Sequence, residues 1–203
     1  MDNKTHWEEI YAEKKPDEVS WYQSSSELSL RMVAAAELSL SDPIIDVGGG
    51  ACKLVDQLAT LGYKNLTVLD ISAKALDHAK IRLSKTAEKI QWIESDINDF
   101  KPQCRYAFWH DRAVFHFLTD QNDRARYLEA LNRSISPDGY VMIATFALDG
   151  PEQCSGLPVQ RYSHELLEKT LGNDYQLILK DQESHLTPWG KEQKFIYGLF
   201  RRK

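Results

Sequence analysis

Leu28, Met32, Ala35 and Leu38 recur at three- and four-residue spacings within residues 27–40, which predicts an amphipathic helix. Pro43 stops it and opens an extended apolar run, Ile44-Ile45-Asp46-Val47. Gly48-Gly49-Gly50 then breaks the strand, and Leu54, Val55, Leu58 and Leu61 resume helical spacing up to Gly62. The cycle repeats. Residues 66–69 form a second strand, Ser72 caps a helix running to about Lys85, and residues 90–93 form a third strand. Residues 105–110 make the fourth, a helix covers about 120–135, and Pro137-Asp138-Gly139 is a turn. Tyr140 to Ala147 is a fifth strand, and its unbroken apolarity predicts burial on both faces.

The tail changes character. After a loop at 148–160 and a helix near Ser163–Leu171, residues 175–180 and 195–200 are strands with no helix between them. They predict an antiparallel hairpin at the sheet edge. Five strand–helix units and this hairpin predict a doubly wound α/β fold, with its ligand site at the carboxyl ends of the strands. The expected organisation is a single domain over 1–203, with residues 1–40 as a helical cap.

Composition narrows the function classes. The chain has 203 residues, 42% of them hydrophobic and 27% charged, which excludes a disordered chain or a fibre. Its 25 basic and 30 acidic residues leave a net charge of −5, a poor balance for neutralising phosphates. Cys52, Cys104 and Cys154 form no CxxC pair, so neither a zinc knuckle nor a thioredoxin-type redox motif is expected. There is no signal-peptide pattern and no apolar run near the ~20 residues of a membrane span. A soluble, cytoplasmic protein without a metal is expected.

The chemistry starts at Asp46-Val-Gly48-Gly-Gly50. Glycines between a strand and a helix let the backbone approach a ligand closely. A NAD fingerprint needs a third glycine, and Lys53 stands there instead. The acid beside the turn suits a ligand with a cationic or amino-acid end; an ordinary strand–helix turn is the alternative. Asp70 follows Gly48 by 22 residues, the distance at which an acid accepts from ribose hydroxyls. Its alternative role is a helix cap, for which Ser72 is better placed. At the third strand's end Asp96 can meet an adenine amino group while Ile97 covers the ring.

Over nearly its whole length this pattern resembles the class I S-adenosylmethionine-dependent methyltransferases. The resemblance implies a mostly parallel seven-stranded sheet with an antiparallel last strand. It implies S-adenosyl-L-methionine as cofactor and S-adenosyl-L-homocysteine as product. Asp46, Gly48 and Gly50 would hold the methionine part, Asp70 the ribose, and Asp96 with Ile97 the adenine; Ile71 and His110 join this set. Cys52 and Ala107 depart from residues frequent in the family. The fourth strand lacks an Asn/Asp-Pro-Pro-aromatic signature. It is similar instead to the Asp-Lys-Gly-Thr region of seven-strand protein lysine methyltransferases, with Asp111 and Arg112 on its first two positions. Trp7 and Trp21-Tyr22-Gln23 resemble the entry segment of those enzymes.

Methyl transfer from a sulfonium is an in-line displacement that needs a base only if the nucleophile arrives protonated. Asp111, His110 and His116 are the candidate catalytic groups. His116 has a core-packing alternative, and Asp111 could instead pair with Arg112. Trp21, Tyr22, Cys154 and His185 are the candidate acceptor-binding residues, with Cys154 on the 149–158 loop. His185 with Thr187-Pro188-Trp189-Gly190 is expected to close over the pocket, and the tryptophans suit a cation through their π faces. The expected activity is methyl transfer to a small nucleophile or to a protein side chain such as lysine. The alternative is a catalytically inactive, cofactor-binding regulatory module. The expected partners are a small acceptor or one protein substrate, with no nucleic acid or membrane, and the expected state is a monomer or homodimer.

Overall fold

The computed structural model describes residues 2–203. Strands β1 (Ile44–Val47), β2 (Leu66–Asp70), β3 (Gln91–Glu94), β4 (Tyr106–Arg112), β5 (Ile135–Phe146), β6 (Tyr175–Leu186) and β7 (Glu192–Arg202) form one sheet. Their spatial order is β3-β2-β1-β4-β5-β7-β6. The first five are mutually parallel, and β7 lies antiparallel between β5 and β6. Successive strands are added outward from β1 to β3 on one side and from β4 onward on the other, so the carboxyl ends of β1, β2 and β4 border one crevice at this switch point.

Helices cover both faces. Met32 and Val33 of α2 (Glu27–Ala35), Leu54, Val55 and Leu58 of α3 (Leu54–Thr60) and Leu76 of α4 (Ala73–Leu83) pack on one side with Val68, Phe108 and Met142. Tyr127 and Leu131 of α5 (Gln121–Ser134) and Leu167 and Leu171 of α6 (His164–Leu171) fill the other with Val141, Ile143 and Phe200. Burial on both sides explains the apolar runs of the central strands. The caps are local. Ser72 Oγ accepts from Ala75 N at 3.1 Å, and Asp120 accepts from Asn122 N at 2.8 Å.

The elements differ from the sequence expectation mainly at their ends. Helix α2 stops at Ala35, because Glu37 takes a left-handed φ of 49°. Strand β4 runs two residues further than expected and carries Asp111 and Arg112 within the sheet. The Pro137-Asp138-Gly139 turn is absorbed into β5, where Asp138 has φ 61° and the register with β4 slips. The terminal hairpin is longer than its apolar centre, since alternating polar residues extend β6 to Leu186. The 148–160 loop holds a two-residue ladder, Gln153–Cys154 against Leu157–Pro158.

Helix α1 (Asn3–Glu13) is capped by Asp2, which accepts from Thr5 N at 2.8 Å. It is tied across the β2–β3 side of the sheet. Lys4 Nζ donates to Glu94 at 2.5 Å, Ala73 N donates to Glu8 Oε1 at 2.6 Å, and His78 Nε2 donates to the Tyr11 carbonyl at 3.1 Å.

The turn after β1 depends on one glycine. Gly48 has φ +68°, and a Cβ there would fall 2.1 Å from Val114 Cγ2. Gly48→Ala is expected to destabilise the protein by about 2 kcal/mol or more through backbone strain and the clash. In a Val114→Ala background the penalty should shrink toward the ~1–2 kcal/mol of the left-handed backbone alone. Denaturant melts of the single and double variants measure this; equal penalties in both backgrounds would show that the clash is absent.

Candidate active site

The crevice opens into one cleft of about 830 Å³, its mouth included. Gly48, Asp70, Ile71, Asp96 and Ile97 line one end, and Trp21, Arg112, Phe117 and Cys154 line the other. Helix α1 forms the roof with Asn3, Trp7 and Tyr11. Its aromatic residues meet edge to face: Trp7 lies 5.6 Å from Trp21 and 5.1 Å from Phe117, centroid to centroid. Sequence reasoning placed Trp7 in an entry segment but missed Asn3, Tyr11, Cys52 and Phe117 as lining residues. The i, i+4 spacing of Trp7 and Tyr11 was the available signal, since it puts two large rings on one helix face.

Asp70 ends β2 and is 5% exposed. It accepts from Ser72 N at 2.9 Å, and a Cβ on Gly50 would come within 2.4 Å of its Oδ2. Gly50 is therefore required by close approach rather than by its φ. Burial pushes the Asp70 carboxyl up to about 7, with the nearby Asp46 and Glu8 carboxylates adding to the rise against the Ser72 and Gly50 amides. Asp96 turns the chain after β3, accepting from Asn98 N at 2.8 Å, and sets the buried Ile97 beside the cleft.

Asp46 and Gly50 lie beneath the cleft rather than in its wall. Asp46 Oδ1 accepts from His110 Nδ1 at 2.6 Å, and His110 Nε2 lies 2.8 Å from Ser29 Oγ. His110 thus orients Asp46 from below and does not reach the cleft, contrary to its expected cofactor and catalytic roles. Asp46 Oδ2 is buried without a partner under the glycine turn. An orphaned carboxylate oxygen there fits the ammonium end of an amino-acid tail, and Asp70 with Asp96 and Ile97 fits an adenosine. The residues therefore suit S-adenosylmethionine, which when bound supplies an electrophilic methyl on a sulfonium.

The other two expected catalytic groups are also turned away. Asp111 is fully enclosed, where it accepts from Val114 N at 2.9 Å, Phe115 N at 3.1 Å and the Tyr127 hydroxyl at 2.7 Å. Trp109 Nε1 completes the chain by donating to the Tyr127 oxygen at 2.9 Å. Burial raises the Asp111 carboxyl to about 6 against these donors. It fixes the turn after β4, in which Ala113 takes a left-handed φ of 72° and Val114 and Phe117 face the cleft. His116 is buried among Phe117, Phe146 and Phe195 with neither ring nitrogen paired. Burial and the Arg112 charge push it down to about 3, so it stays neutral.

The alternative reading, an Asp111–Arg112 ion pair, does not form either. Arg112 bonds Glu183 at 3.3 Å, the Tyr197 hydroxyl at 2.7 Å and the Trp21 carbonyl at 3.1 Å, with Phe195 4.5 Å beneath it. Of the expected acceptor residues, Trp21 and Cys154 line the cleft. Tyr22 does not; its hydroxyl accepts from Lys53 Nζ at 3.2 Å in a neighbouring groove. His185 donates to the Ser20 carbonyl at 2.7 Å behind the wall, and Trp189 is 60% exposed at the hairpin tip, so neither closes the pocket. Burial pushes the Cys154 thiol up to about 11 and the Cys52 thiol to about 12.

A family model described as a methyltransferase domain matches residues 44–139, from the start of β1 into β5. The fold, a mostly parallel seven-stranded sheet with an antiparallel last strand, is that of solved S-adenosylmethionine-dependent methyltransferases. It is 25% identical over 148 residues to a ubiquinone biosynthesis O-methyltransferase of Dechloromonas aromatica, covering 73% of this chain and 62% of that one. It is 22% identical over 139 residues to the bovine (Bos taurus) eEF1A lysine and N-terminal methyltransferase, covering 68% of this chain and 19% of that protein. The chain thus spans less than two thirds of these relatives. The fold matches the N-methyltransferase NodS of Bradyrhizobium japonicum in complex with S-adenosyl-L-homocysteine, with a TM-score of 0.72 and 16% identity over 99% of both chains.

Two testable outcomes follow from this geometry. Asp111→Ala leaves the Tyr127 hydroxyl and two buried amides without an acceptor, at a cost of about 3 kcal/mol. The melting temperature should fall by roughly 6–12 °C, while single-turnover transfer per folded molecule changes far less. A fully stable variant that has lost turnover would restore Asp111 as a catalytic group.

Asp70 carries a pH signature. Its folded carboxyl is raised to about 7 from 3.8. Below pH 3.8 both states are protonated and there is no penalty. As pH rises toward 7 the unfolded chain ionises first, so the ligand-free fold loses stability and then levels off. Asp70→Asn should therefore melt above the parent at pH 8, with the gap closing near pH 4. The same variant should bind S-adenosylhomocysteine about ten- to hundredfold more weakly. Calorimetric affinity and melting curves from pH 4 to 8 check both signs.

Proposed function

We propose that this protein transfers a methyl group from S-adenosylmethionine to a small-molecule nucleophile. The observation that carries the reading is the convergence of Gly48, Asp70, Asp96 and Ile97 on one cleft, roofed by Trp7 and Tyr11. The relatives named above support methyl transfer as the reaction, and the enclosed aromatic rim supports a small acceptor. Each residue acts by placement: the acids hold the adenosine, the roof excludes water, and the acceptor waits between Trp21, Phe117 and Cys154. Holding nucleophile and methyl at near-attack distance supplies most of the acceleration in such a displacement. Among the described residues no helix is long and apolar enough to cross a membrane, and a cytoplasmic location is part of this proposal.

A protein lysine acceptor is the second reading, favoured by the bovine relative. Incubation with methyl-labelled S-adenosylmethionine, lysate protein and a metabolite extract separates the two. Label is expected in small molecules. Label confined to macromolecules would select the protein substrate, and an absence of transfer despite tight S-adenosylhomocysteine binding would select a regulatory cofactor-binding module.

A further inference from the structure

The cleft is electrostatically divided. Among the described residues lining it, the only carboxyl or basic side chains are Asp70 and Asp96 at the adenosine end and Arg112 at the acceptor end. Arg112 is buried, with only 6% of its side chain exposed, and its counter-ion Glu183 stands behind it outside the cleft wall. A nucleophile beside Trp21 therefore meets the guanidinium before it meets any carboxylate. Three of the five guanidinium N–H groups are engaged, by Tyr197, Trp21 and Glu183, which leaves two as donors.

The groups that face Arg112 are Glu183 on β6, Tyr197 on β7, Cys52 after β1, Cys154 on the short ladder, and the His116 and His185 imidazoles. Glu183 is already tied to Tyr197 at 2.5 Å and to Gln23 Nε2 at 2.7 Å. The two thiols are held protonated and both imidazoles are pushed down, His116 to about 3. None of these groups is a base that could relieve an acceptor of its proton at neutral pH. Asp111 and His110 are bound beneath the turn and do not enter.

We propose that the acceptor end is built for a thiol, which binds as the thiolate against the Arg112 guanidinium, with Trp21 and Phe117 as its walls. The proposal rests on the methyltransferase reading and names its substrate class. A nearby opposite charge typically lowers an acid's pKa by about 1–3 units. Thiols start near ~8.5, so such a shift ionises them at neutral pH, whereas phenols start near ~10. An alkylammonium near ~10.4 must shed its proton before it can enter, and both the guanidinium and the sulfonium repel it. In the step itself the thiol proton leaves to solvent on binding. The thiolate sulfur forms a bond to the methyl carbon as the sulfonium carbon–sulfur bond breaks, and that electron pair stays on the sulfur of S-adenosylhomocysteine. The anion and the cation give two neutral thioethers. Sulfur against aromatic edges is also a favourable contact.

Phenylmethanethiol and benzylamine, of similar shape, are the probes; free in water the first is a thiol and the second an ammonium at pH 7. Both are titrated calorimetrically into the protein with S-adenosylhomocysteine bound, and both are assayed for methyl transfer with S-adenosylmethionine, from pH 6 to 10. Phenylmethanethiol affinity and turnover are expected to be flat from about pH 8 upward, while anything seen with benzylamine rises about tenfold per pH unit toward its own ionisation. Arg112→Gln should weaken phenylmethanethiol binding at least tenfold at pH 7 and move the acidic limb of its transfer up by about one pH unit or more. Glu183→Gln, which leaves Arg112 uncompensated, should move that limb down, and it keeps the test alive if Arg112→Gln fails to fold. Transfer to benzylamine at pH 7 equal to that to phenylmethanethiol would overturn the thiol assignment. So would an acidic limb that neither variant moves, or an absence of phenylmethanethiol transfer at every pH. In each of those cases, intact S-adenosylhomocysteine binding leaves the cofactor reading standing; loss of that binding in the parent protein overturns the methyltransferase reading itself.

Discussion

The segment that follows β4 is shaped by a single enclosed carboxylate. Asp111 accepts from two consecutive turn amides and from Tyr127 of α5, and Trp109 locks the Tyr127 hydroxyl in place. A buried carboxylate with three donors is stable only while all three are present, so the network couples the strand, the turn and the helix on its far side. The left-handed Ala113 is tolerated because that network over-determines it. Everything at the middle of the cleft follows from the turn: Val114 packs on Gly48, Phe117 meets Trp7, and Arg112 projects toward the acceptor end.

Buried charge is handled differently at the two ends of the cleft. At the adenosine end Asp70 sits in a site too dry to ionise fully without a ligand, which is a liability in the empty fold and an advantage once donors arrive. At the acceptor end the guanidinium is ionised and compensated from behind by Glu183 and Tyr197. The hairpin β6–β7 is what supplies that compensation, so the antiparallel strand helps hold the cleft wall as well as the sheet. The N-terminal helix completes the arrangement. Its polar ties to Glu94, Ala73 and His78 ring a small aromatic contact, which covers the cleft without a large apolar interface.

The local pattern of the chain determined a good deal by itself. Strand β1, its glycine turn, the acids closing β2 and β3, and the cap at Ser72 depend on neighbours in sequence, and each appears where spacing and residue type put it. The doubly wound order follows from alternating apolar runs and helices, because right-handed crossovers leave few other arrangements. What only the tertiary structure decided is where polar side chains point. Asp111, His110 and His116 share a strand end and its turn with Arg112, yet the first three are claimed by Tyr127, by Asp46 and by a phenylalanine cluster from other elements. His185 and Tyr22 are drawn to Ser20 and Lys53 in the same way. A side chain at a strand's carboxyl end can turn into the cleft or under it, and that choice is made by hydrogen-bond partners and packing neighbours on other elements of the fold.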